Sequence, residues 1–128
     1  MQMRQNYSTN ARWEDIVGYS RAVRIGNTIE VSGTVSVKDG QPYGMGNAYD
    51  QTVRIFEIIG EALEHFGASH SDVIRTRSYV TNIEHWSEVG RAHAEVYGDI
   101  RPATSMVEVS KLITPAYLVE IEVTAIVE

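Results

Sequence analysis

The fold is decided by two runs near the end of the chain, residues 101–112 (RPATSMVEVSKL) and residues 119–128 (VEIEVTAIVE). In both runs apolar and polar side chains alternate. Alternation with a period of two is typical of a β-strand that buries one face. We therefore predict two strands, joined by a loop that contains Thr114 and Pro115.

The second run places carboxylates on the face that the core does not use. Ile121 and Val123 share one face of this strand, and Glu120 and Glu122 share the other. If the two strands pair as a hairpin, Glu108 of the first run comes close to both glutamates. Like charges that face each other in a sheet repel, so such a face requires cations, water or a protonated carboxyl.

Composition indicates one globular domain over residues 1–128. Hydrophobic residues make up 43% of the chain, enough for a core at this length, and no shift in composition marks a second domain. The absence of cysteine excludes disulfides and thiolate chemistry and fits a reducing compartment. We find no signal peptide and no apolar run of about 20 residues, so we expect a soluble, cytoplasmic protein without a membrane partner.

The charge of the chain argues against a nucleic-acid partner. The net charge is −6, and affinity for nucleic acid depends largely on clustered lysine and arginine. Nine of the eleven cationic residues are arginine, which suits bidentate contacts with carboxylates. For most of these arginines we expect salt bridges with the abundant acidic residues.

The first third of the chain predicts a polar arm followed by short strands. Residues 1–18 show no period, and we predict an irregular N-terminal arm that is anchored by Trp13. Three short β-rich runs follow: residues 20–25, 28–33 and 34–38. The Gly-Asn pair between the first two predicts a hairpin turn, and residues 41–46 have the glycine and proline content of a loop.

The middle of the chain predicts two helices that flank a strand. Asn47 can cap a helix that runs to Phe66, and Gly67 can end it. A capping-box spacing over residues 81–84 begins a second helix, which runs from about residue 84 to residue 97. The apolar stripe of that second helix comprises Trp86, Val89, His93 and Val96, and we expect His93 to be a core histidine.

The order of elements predicts an α+β fold. Three strands, a helix, a strand, a helix and two strands suggest split β-α-β halves, with one mixed sheet covered on one face by two helices. The strand over residues 72–80 contributes Arg75 and Arg77 as counter-charges for the glutamates. The open face would carry seven side chains of mixed character: Arg75, Arg77, Tyr79, Thr104, Met106, Glu120 and Glu122. Such a face predicts self-association of the chain.

Several motifs resemble the RidA family, also called YjgF or L-PSP. They are Ser32-Gly33, the stretch Tyr79-Val80-Thr81-Asn82, the RPATSMVEV run from Arg101 to Val109, and the VEIE run from Val119 to Glu122. The likeness extends over residues 19–127. It implies a chorismate-mutase-like fold, assembled as a homotrimer with a ligand cleft at each subunit interface.

The resemblance also implies an activity and a set of site residues. Enzymes of the family hydrolyse enamines and imines from amino-acid breakdown, such as 2-aminoacrylate, to 2-keto acids and ammonia without a metal or organic cofactor. Glu120 falls at the family's water-activating glutamate, and three residues that line the cleft fall at Tyr19, Ser32 and Gly33. The implied ligand is a small carboxylate or imine-type metabolite.

This chain departs from the family at the carboxylate clamp. The family motif Pro-Ala-Arg-Ser supplies an arginine for the substrate carboxylate, and Thr104 occupies that position here. Met106 replaces a common cysteine, and Gly90 replaces an asparagine at the start of the second helix. A hydrogen bond to a charged group contributes about 1.5–3 kcal/mol, so loss of the arginine should weaken binding of a substrate carboxylate. The sequence alone leaves open which substrate is used and whether Arg24, Arg75 or Arg77 replaces the clamp.

The sequence is compatible with three functional interpretations. The first is a deaminase-type hydrolase with Glu120 as its catalytic residue and with Tyr19, Ser32, Gly33, Thr104 and Met106 at the substrate. The second is a non-catalytic trimer that binds a ligand or a partner, in which Glu120 forms an ion pair with Arg75 or Arg77. The third, an endoribonuclease, conflicts with the acidic charge. The histidine spacing predicts no metal site.

Overall fold

The computed structural model describes residues 3–128, so Met1 and Gln2 of the predicted arm lie outside the described residues. The strands are β1 (Arg4–Tyr7), β2 (Ala22–Ile25), β3 (Thr28–Thr34), β4 (Val37–Lys38), β5 (Gln41–Pro42), β6 (Val73–Val80), β7 (Ala103–Glu108) and β8 (Val119–Ile126). The α-helices are α1 (Arg12–Val17), α2 (Ala48–His65) and α3 (Trp86–Tyr97).

Six strands form one mixed sheet in the order β1-β2-β3-β8-β6-β7. β7 runs parallel to β6, and every other neighbouring pair in this sheet is antiparallel. The prediction of a mixed sheet is therefore confirmed. The prediction of a hairpin between the two C-terminal strands is wrong. β6 lies between β7 and β8 and separates Glu108 from Glu120 and Glu122.

The two long helices pack on each other and cover one face of the sheet, as predicted. α2 contacts β3 and β8, and its stripe of buried residues forms the core with the inward residues of the strands. Asn47 caps α2 by accepting a hydrogen bond of 2.9 Å from the Asp50 N–H, and Gly67 follows the helix with φ of 78°. In the described residues 3–128, no helix is long and apolar enough to cross a membrane.

The start of the second helix differs in detail from the prediction. The cap is Asn82, whose side chain accepts from the Glu84 N–H, and a 3-10 turn over Ile83–His85 precedes α3. Trp86 is therefore the first residue of α3 and is 62% exposed instead of lying on the buried stripe. His93 does lie on that stripe.

The prediction of an irregular arm over residues 1–18 is wrong for the described part of the arm. β1 pairs with β2, and α1 follows it. No apolar period marks β1 because it is an edge strand whose side chains are largely exposed, so backbone hydrogen bonds supply its order. Trp13 is 39% exposed, and the buried anchor is instead Glu14, which is 3% exposed.

The loop predicted over residues 41–46 is also shorter than expected. Gln41 and Pro42 pair with Lys38 and Val37 in a separate two-stranded sheet. The third β-rich run is divided accordingly: β3 continues to Thr34, and β4 begins at Val37. This small sheet lies outside the six-stranded sheet.

One buried polar side chain connects α2 to the segment that leads into β8. Gln51 has no exposed surface, its Oε1 accepts a 2.9 Å hydrogen bond from the Leu118 N–H, and its Nε2 donates to the Ala116 carbonyl at 3.0 Å. The same Nε2 donates to the Gly44 carbonyl at 3.2 Å. Gln51 therefore fixes the entry to β8, the strand that carries Glu120.

We expect the Gln51→Leu variant to lower the free energy of unfolding by about 2–3 kcal/mol, because it removes three hydrogen bonds and leaves buried backbone groups unsatisfied. Urea denaturation measures the change. Gln5→Leu, the same substitution at an exposed position of β1, is the matched control and should stay within about 0.5 kcal/mol of the unsubstituted protein. Equal effects of the two substitutions would contradict the assigned role of Gln51.

Candidate functional site

On the open face of the sheet, Arg77, Tyr79 and Glu122 form a set of polar contacts that we call the polar ladder. The Tyr79 hydroxyl donates a hydrogen bond to Glu122, and Arg77 Nη1 lies 3.9 Å from Glu122 Oε2. Arg75 instead donates to the Ser105 hydroxyl at 2.8 Å. The expected counter-charge for Glu122 is therefore Arg77, and the expected ion pair between Arg75 and the glutamates does not form.

Glu120 lies on the same face but outside this ladder. It forms no salt bridge with Arg75 or Arg77, and the cation that acts on it is Arg21. Burial raises the pKa of Glu120, the positive charge of Arg21 lowers it, and the negative charge of Glu122 raises it. The net result is a pKa above the ordinary value for glutamate.

A bulge in β3 places Gly33 against the Glu120 side chain. Val31 pairs with Val123 and Thr34 pairs with Ile121, so three steps along β3 match two along β8. A Cβ atom on Gly33 would meet the Glu120 carboxylate, with Oε2 as its nearest atom. A residue with a Cβ at this position would require the Glu120 carboxylate to move away from the β3 backbone.

Ser32 ties this bulge to the segment before β2. Its hydroxyl donates a 2.7 Å hydrogen bond to the Ser20 carbonyl, and its N–H donates to the Arg21 carbonyl at 2.9 Å. The hydroxyl proton is thus used within the chain, and the oxygen lone pairs remain for other donors. Ser32 therefore fixes the distance between Glu120 and the residues that follow α1.

The short helix that replaces the predicted irregular arm places Tyr19 next to Arg21, whose charge acts on Glu120. The N–H of Tyr19 donates to the Glu14 carbonyl at 3.0 Å, after Gly18 has ended α1 with φ of 88°. Tyr19 is 36% exposed, and its ring centroid lies 5.7 Å from the Arg21 guanidinium carbon. Arg21 Nη2 donates to the Gly33 carbonyl at 2.5 Å.

We call Tyr19, Arg21, Ser32, Gly33 and Glu120 the Glu120 site. The structure brings together four of the residues that the sequence indicated, and it adds Arg21. Arg21 is two residues beyond Tyr19, in the segment that joins α1 to β2. That spacing was the available signal for Arg21, whereas the alternatives considered from sequence were Arg24, Arg75 and Arg77.

Thr104 and Met106 lie on the opposite face of the sheet from Glu120, so the prediction that they share its face is wrong. Thr104 is in register with Thr76, which is fully buried beneath the helices, and Met106 packs against the core. The valine of β7 explains the difference. Val107 is in register with Tyr79 on the open face and is 46% exposed, so the alternate residues Thr104 and Met106 turn toward the helices.

Thr104 belongs to a chain of hydrogen bonds that ends on α3. Its Oγ1 lies 2.6 Å from Thr76 Oγ1, which lies 2.8 Å from His93 Nε2. Burial lowers the pKa of His93, which favours the neutral ring. His93 is therefore a hydrogen-bonded core histidine, as predicted. Within the described residues 3–128, no group of three or more His, Cys, Asp or Glu side chains could hold a metal ion.

Fold and site together define the class of protein. A mixed sheet covered by helices on one face, with Glu120, Gly33 and Ser32 on the other, is the chorismate-mutase-like α+β arrangement that the resemblance implied. Residues 9–127 match the family described as Endoribonuclease L-PSP. The chain therefore belongs to the L-PSP family, which is also called YjgF or RidA.

Individual relatives agree with this assignment. A protein of Streptomyces coelicolor is 38% identical over 113 residues, which cover 88% of this chain and 84% of that protein. A RutC family protein of Pyrococcus abyssi is 32% identical, with 84% of each chain covered. The solved structure of Rv2704 from Mycobacterium tuberculosis, a member of the YjgF/YER057c/UK114 family, has a TM-score of 0.89 at 47% identity and covers 98% of this chain and 100% of its own.

Two glycine substitutions with opposite expected signs test the packing of the site. Gly33→Ala should lower the free energy of unfolding by about 1 kcal/mol, because the added methyl group forces the Glu120 carboxylate to shift within its half-buried surroundings. Gly90→Ala on α3 has open space around its Cβ and should raise the free energy of unfolding by up to about 1 kcal/mol. Denaturant unfolding measures both, and a Gly33→Ala variant as stable as Gly90→Ala would show that Gly33 and Glu120 are not in contact.

Proposed function

We propose that the chain binds and hydrolyses a small imine or enamine at the Glu120 site, with Glu120 as the acid–base residue. The observation that carries the proposal is the position of Glu120: it is half-buried, outside the Arg77–Glu122 ladder, and pressed against the Gly33 backbone. A carboxyl held only for charge balance on this face would be expected to pair with an arginine, as Glu122 does.

The chemistry requires one group that both takes and returns a proton. Protonation of the enamine carbon gives an iminium, and water then adds to its carbon–nitrogen double bond. Glu120 in its ionised form takes the proton of the attacking water and, once protonated, delivers it to the departing nitrogen. Collapse of the tetrahedral intermediate breaks the carbon–nitrogen bond and releases ammonia and a carbonyl compound. A raised pKa for Glu120 suits both transfers.

We propose that the cleft is completed by a second copy of the chain in a homotrimer. Glu120 and Thr104 lie on opposite faces of one sheet and are separated by β6, so a ligand cannot contact both within one subunit. β7 is an edge strand with largely exposed side chains, and the polar open face is suited to contact with another subunit. The Glu120 site of one subunit would then meet the β7 edge of its neighbour.

Thr104 indicates a substrate other than the 2-aminoacrylate of the wider family. Threonine offers a hydroxyl where the family has a cation, and this hydroxyl already shares a hydrogen bond with Thr76. A substrate carboxylate would therefore lose a charge-assisted contact at this position. We propose an imine, enamine or amide-like substrate whose binding does not depend on a carboxylate clamp.

The Glu120→Gln variant tests the proposed acid–base role. It keeps the size of the side chain but cannot accept or return the proton, so ammonia release should fall at least about a hundredfold. Steady-state ammonia release from a panel of small imines and enamines, including 2-aminoacrylate generated in situ, is the measurement. Glu122→Gln is the matched control and should retain most of the rate, because Glu122 is bound in the ladder. Unchanged turnover in Glu120→Gln would overturn the proposal.

The Thr104→Arg variant tests the substrate class. A restored clamp should raise kcat/KM for 2-aminoacrylate by about tenfold or more, from a charge-assisted contact of about 1.5–3 kcal/mol. The same substitution should leave kcat/KM for a substrate without a carboxylate unchanged or lowered. Turnover of 2-aminoacrylate by the unsubstituted protein as fast as by Thr104→Arg would show that the clamp is dispensable here.

A second candidate function is a trimer that binds a ligand without converting it. It is favoured by the engagement of Thr104 with Thr76 and His93, which leaves the β7 side without a group dedicated to catalysis. The same Glu120→Gln comparison separates the two functions. Binding alone is supported if the unsubstituted protein turns over no substrate and Glu120→Gln binds the ligand more weakly.

Cleavage of RNA, the activity that the name Endoribonuclease L-PSP gives to the family, has the least support in this chain. A net charge of −6 opposes the approach of a phosphate backbone. A steep fall of RNA affinity with rising salt, measured with a single-stranded oligoribonucleotide, would restore this candidate.

A further inference from the structure

Arg21 is a buried charged side chain to which the proposed chemistry gives no role. It is 8% exposed, and among the described residues 3–128 its guanidinium makes one hydrogen bond, from Nη2 to the Gly33 carbonyl. Its Nε is buried and has no partner among the same residues. A buried donor without a partner costs about 1–3 kcal/mol, so the surroundings of the Arg21 charge have to be accounted for.

The positive charge of Arg21 acts on two carboxyl groups, those of Glu14 and Glu120. Only Glu120 lacks other groups that stabilise its ionised form. Glu14 is already satisfied, because its carboxylate accepts hydrogen bonds of 2.7 Å from the hydroxyls of Ser8 and Thr9. Burial opposes the charge of Glu14, but the hydrogen bonds from Thr9 and Ser8 outweigh it and hold the pKa of Glu14 below its ordinary value. Glu120 accepts no such hydrogen bond from the described residues, and Arg21 is the only cation acting on it there.

Arg21 also controls the backbone on which the Glu120 carboxylate lies. Its side chain donates to the Gly33 carbonyl, and its own main-chain carbonyl accepts from the Ser32 N–H at 2.9 Å. The Tyr19 ring flanks the guanidinium on another side at 5.7 Å from its carbon. One residue thus contacts both members of the Ser32-Gly33 pair, and its charge acts on the carboxylate that lies against Gly33.

We propose that Arg21 is a positioning residue for Glu120: it holds the Ser32-Gly33 backbone against the carboxylate and places a positive charge beside it. The proposal rests on the proposed function where it assigns acid–base work to Glu120. It adds that the cation of this site comes from the same chain as the glutamate. The charge of Arg21 favours the ionised form of Glu120, which starts the reaction, against the opposing effect of burial.

The consequence for ionisation follows from the groups around Glu120. The charged and titratable groups that face it or its immediate neighbours are Glu14, Tyr19, Arg21, Arg77, Tyr79 and Glu122. Burial and Glu122 favour the protonated carboxyl, and Arg21 favours the ionised one. Removal of the Arg21 charge should therefore keep Glu120 protonated to higher pH and move the rising limb of the pH–rate profile upward.

The experiment is an NMR titration of the unsubstituted protein, which follows the Glu120 carboxyl carbon and the Arg21 Nε–H together. Glu120→Gln assigns the carboxyl signal. We expect the Arg21 Nε–H to shift with the midpoint of Glu120, to lose that transition in Glu120→Gln, and to keep it in Glu122→Gln. An Arg21 signal that does not respond to Glu120 ionisation would overturn the proposal.

Substitution of Arg21 gives the second readout. Arg21→Gln should raise the Glu120 midpoint by about one pH unit or more, and Arg21→Lys should raise it less because it keeps the charge. Arg4→Gln, at an exposed arginine of β1, is the matched control and should leave the midpoint unchanged. A native Arg21→Gln protein with an unchanged Glu120 midpoint would contradict the proposal, and if this variant does not fold, the titration of the unsubstituted protein decides.

The two proposals fail separately. Full activity in Glu120→Gln removes the proposed function and leaves the coupling of Arg21 to Glu120 to be judged by NMR. Conversely, an inactive Glu120→Gln variant together with an Arg21→Gln variant whose Glu120 midpoint and pH–rate profile are unchanged keeps the function and removes the role of Arg21.

Discussion

The close approach of Gly33 on β3 to the Glu120 carboxylate on β8 is the constraint on which the site depends. It exists because a bulge adds one residue to β3 at this point and because Gly33 has no Cβ. The hydrogen bonds of Ser32 and Arg21 then secure the segment between α1 and β2 to the bulge. Gln51 secures the other strand by holding the entry to β8. The bulge that shapes β3 therefore also determines the surroundings of the Glu120 carboxyl.

The polar open face of the sheet separates into two parts with different physical roles. Glu122 is neutralised by Arg77 and Tyr79, so it contributes order to the sheet. Glu120 lies two residues before Glu122 on β8. Its ionisation is opposed by burial and favoured by a single cation, Arg21, which lies outside the sheet. The difference arises from position along β8: Glu122 faces Arg77 in register, whereas Glu120 faces Tyr79. Glu120 and Glu122 occupy equivalent positions in the alternating sequence pattern, but they differ in their charge partners.

The long helices, the mixed sheet and the family could be predicted from sequence because period, caps and motifs are local signals. The site was predicted only in part. Tyr19, Ser32, Gly33 and Glu120 came from the resemblance, and the structure groups them. Arg21 was missed because its surroundings are set by the bulge in β3, and a two-residue spacing from Tyr19 is a weak signal by itself. Thr104 was placed on the wrong face because Val107 of β7, although apolar, lies on the open face in register with Tyr79.

The central claim is that the Glu120 site of one chain meets the β7 edge of another. Because the chain has no cysteine, a variant with both Tyr19→Cys and Thr104→Cys can be treated with a short bis-maleimide and analysed on a denaturing gel. The account predicts efficient cross-links between chains, with a ladder that ends at three, and far weaker cross-linking when Glu61→Cys on the outer surface of α2 replaces Tyr19→Cys. Monomer bands alone, or equal cross-linking of the two pairs, would contradict it.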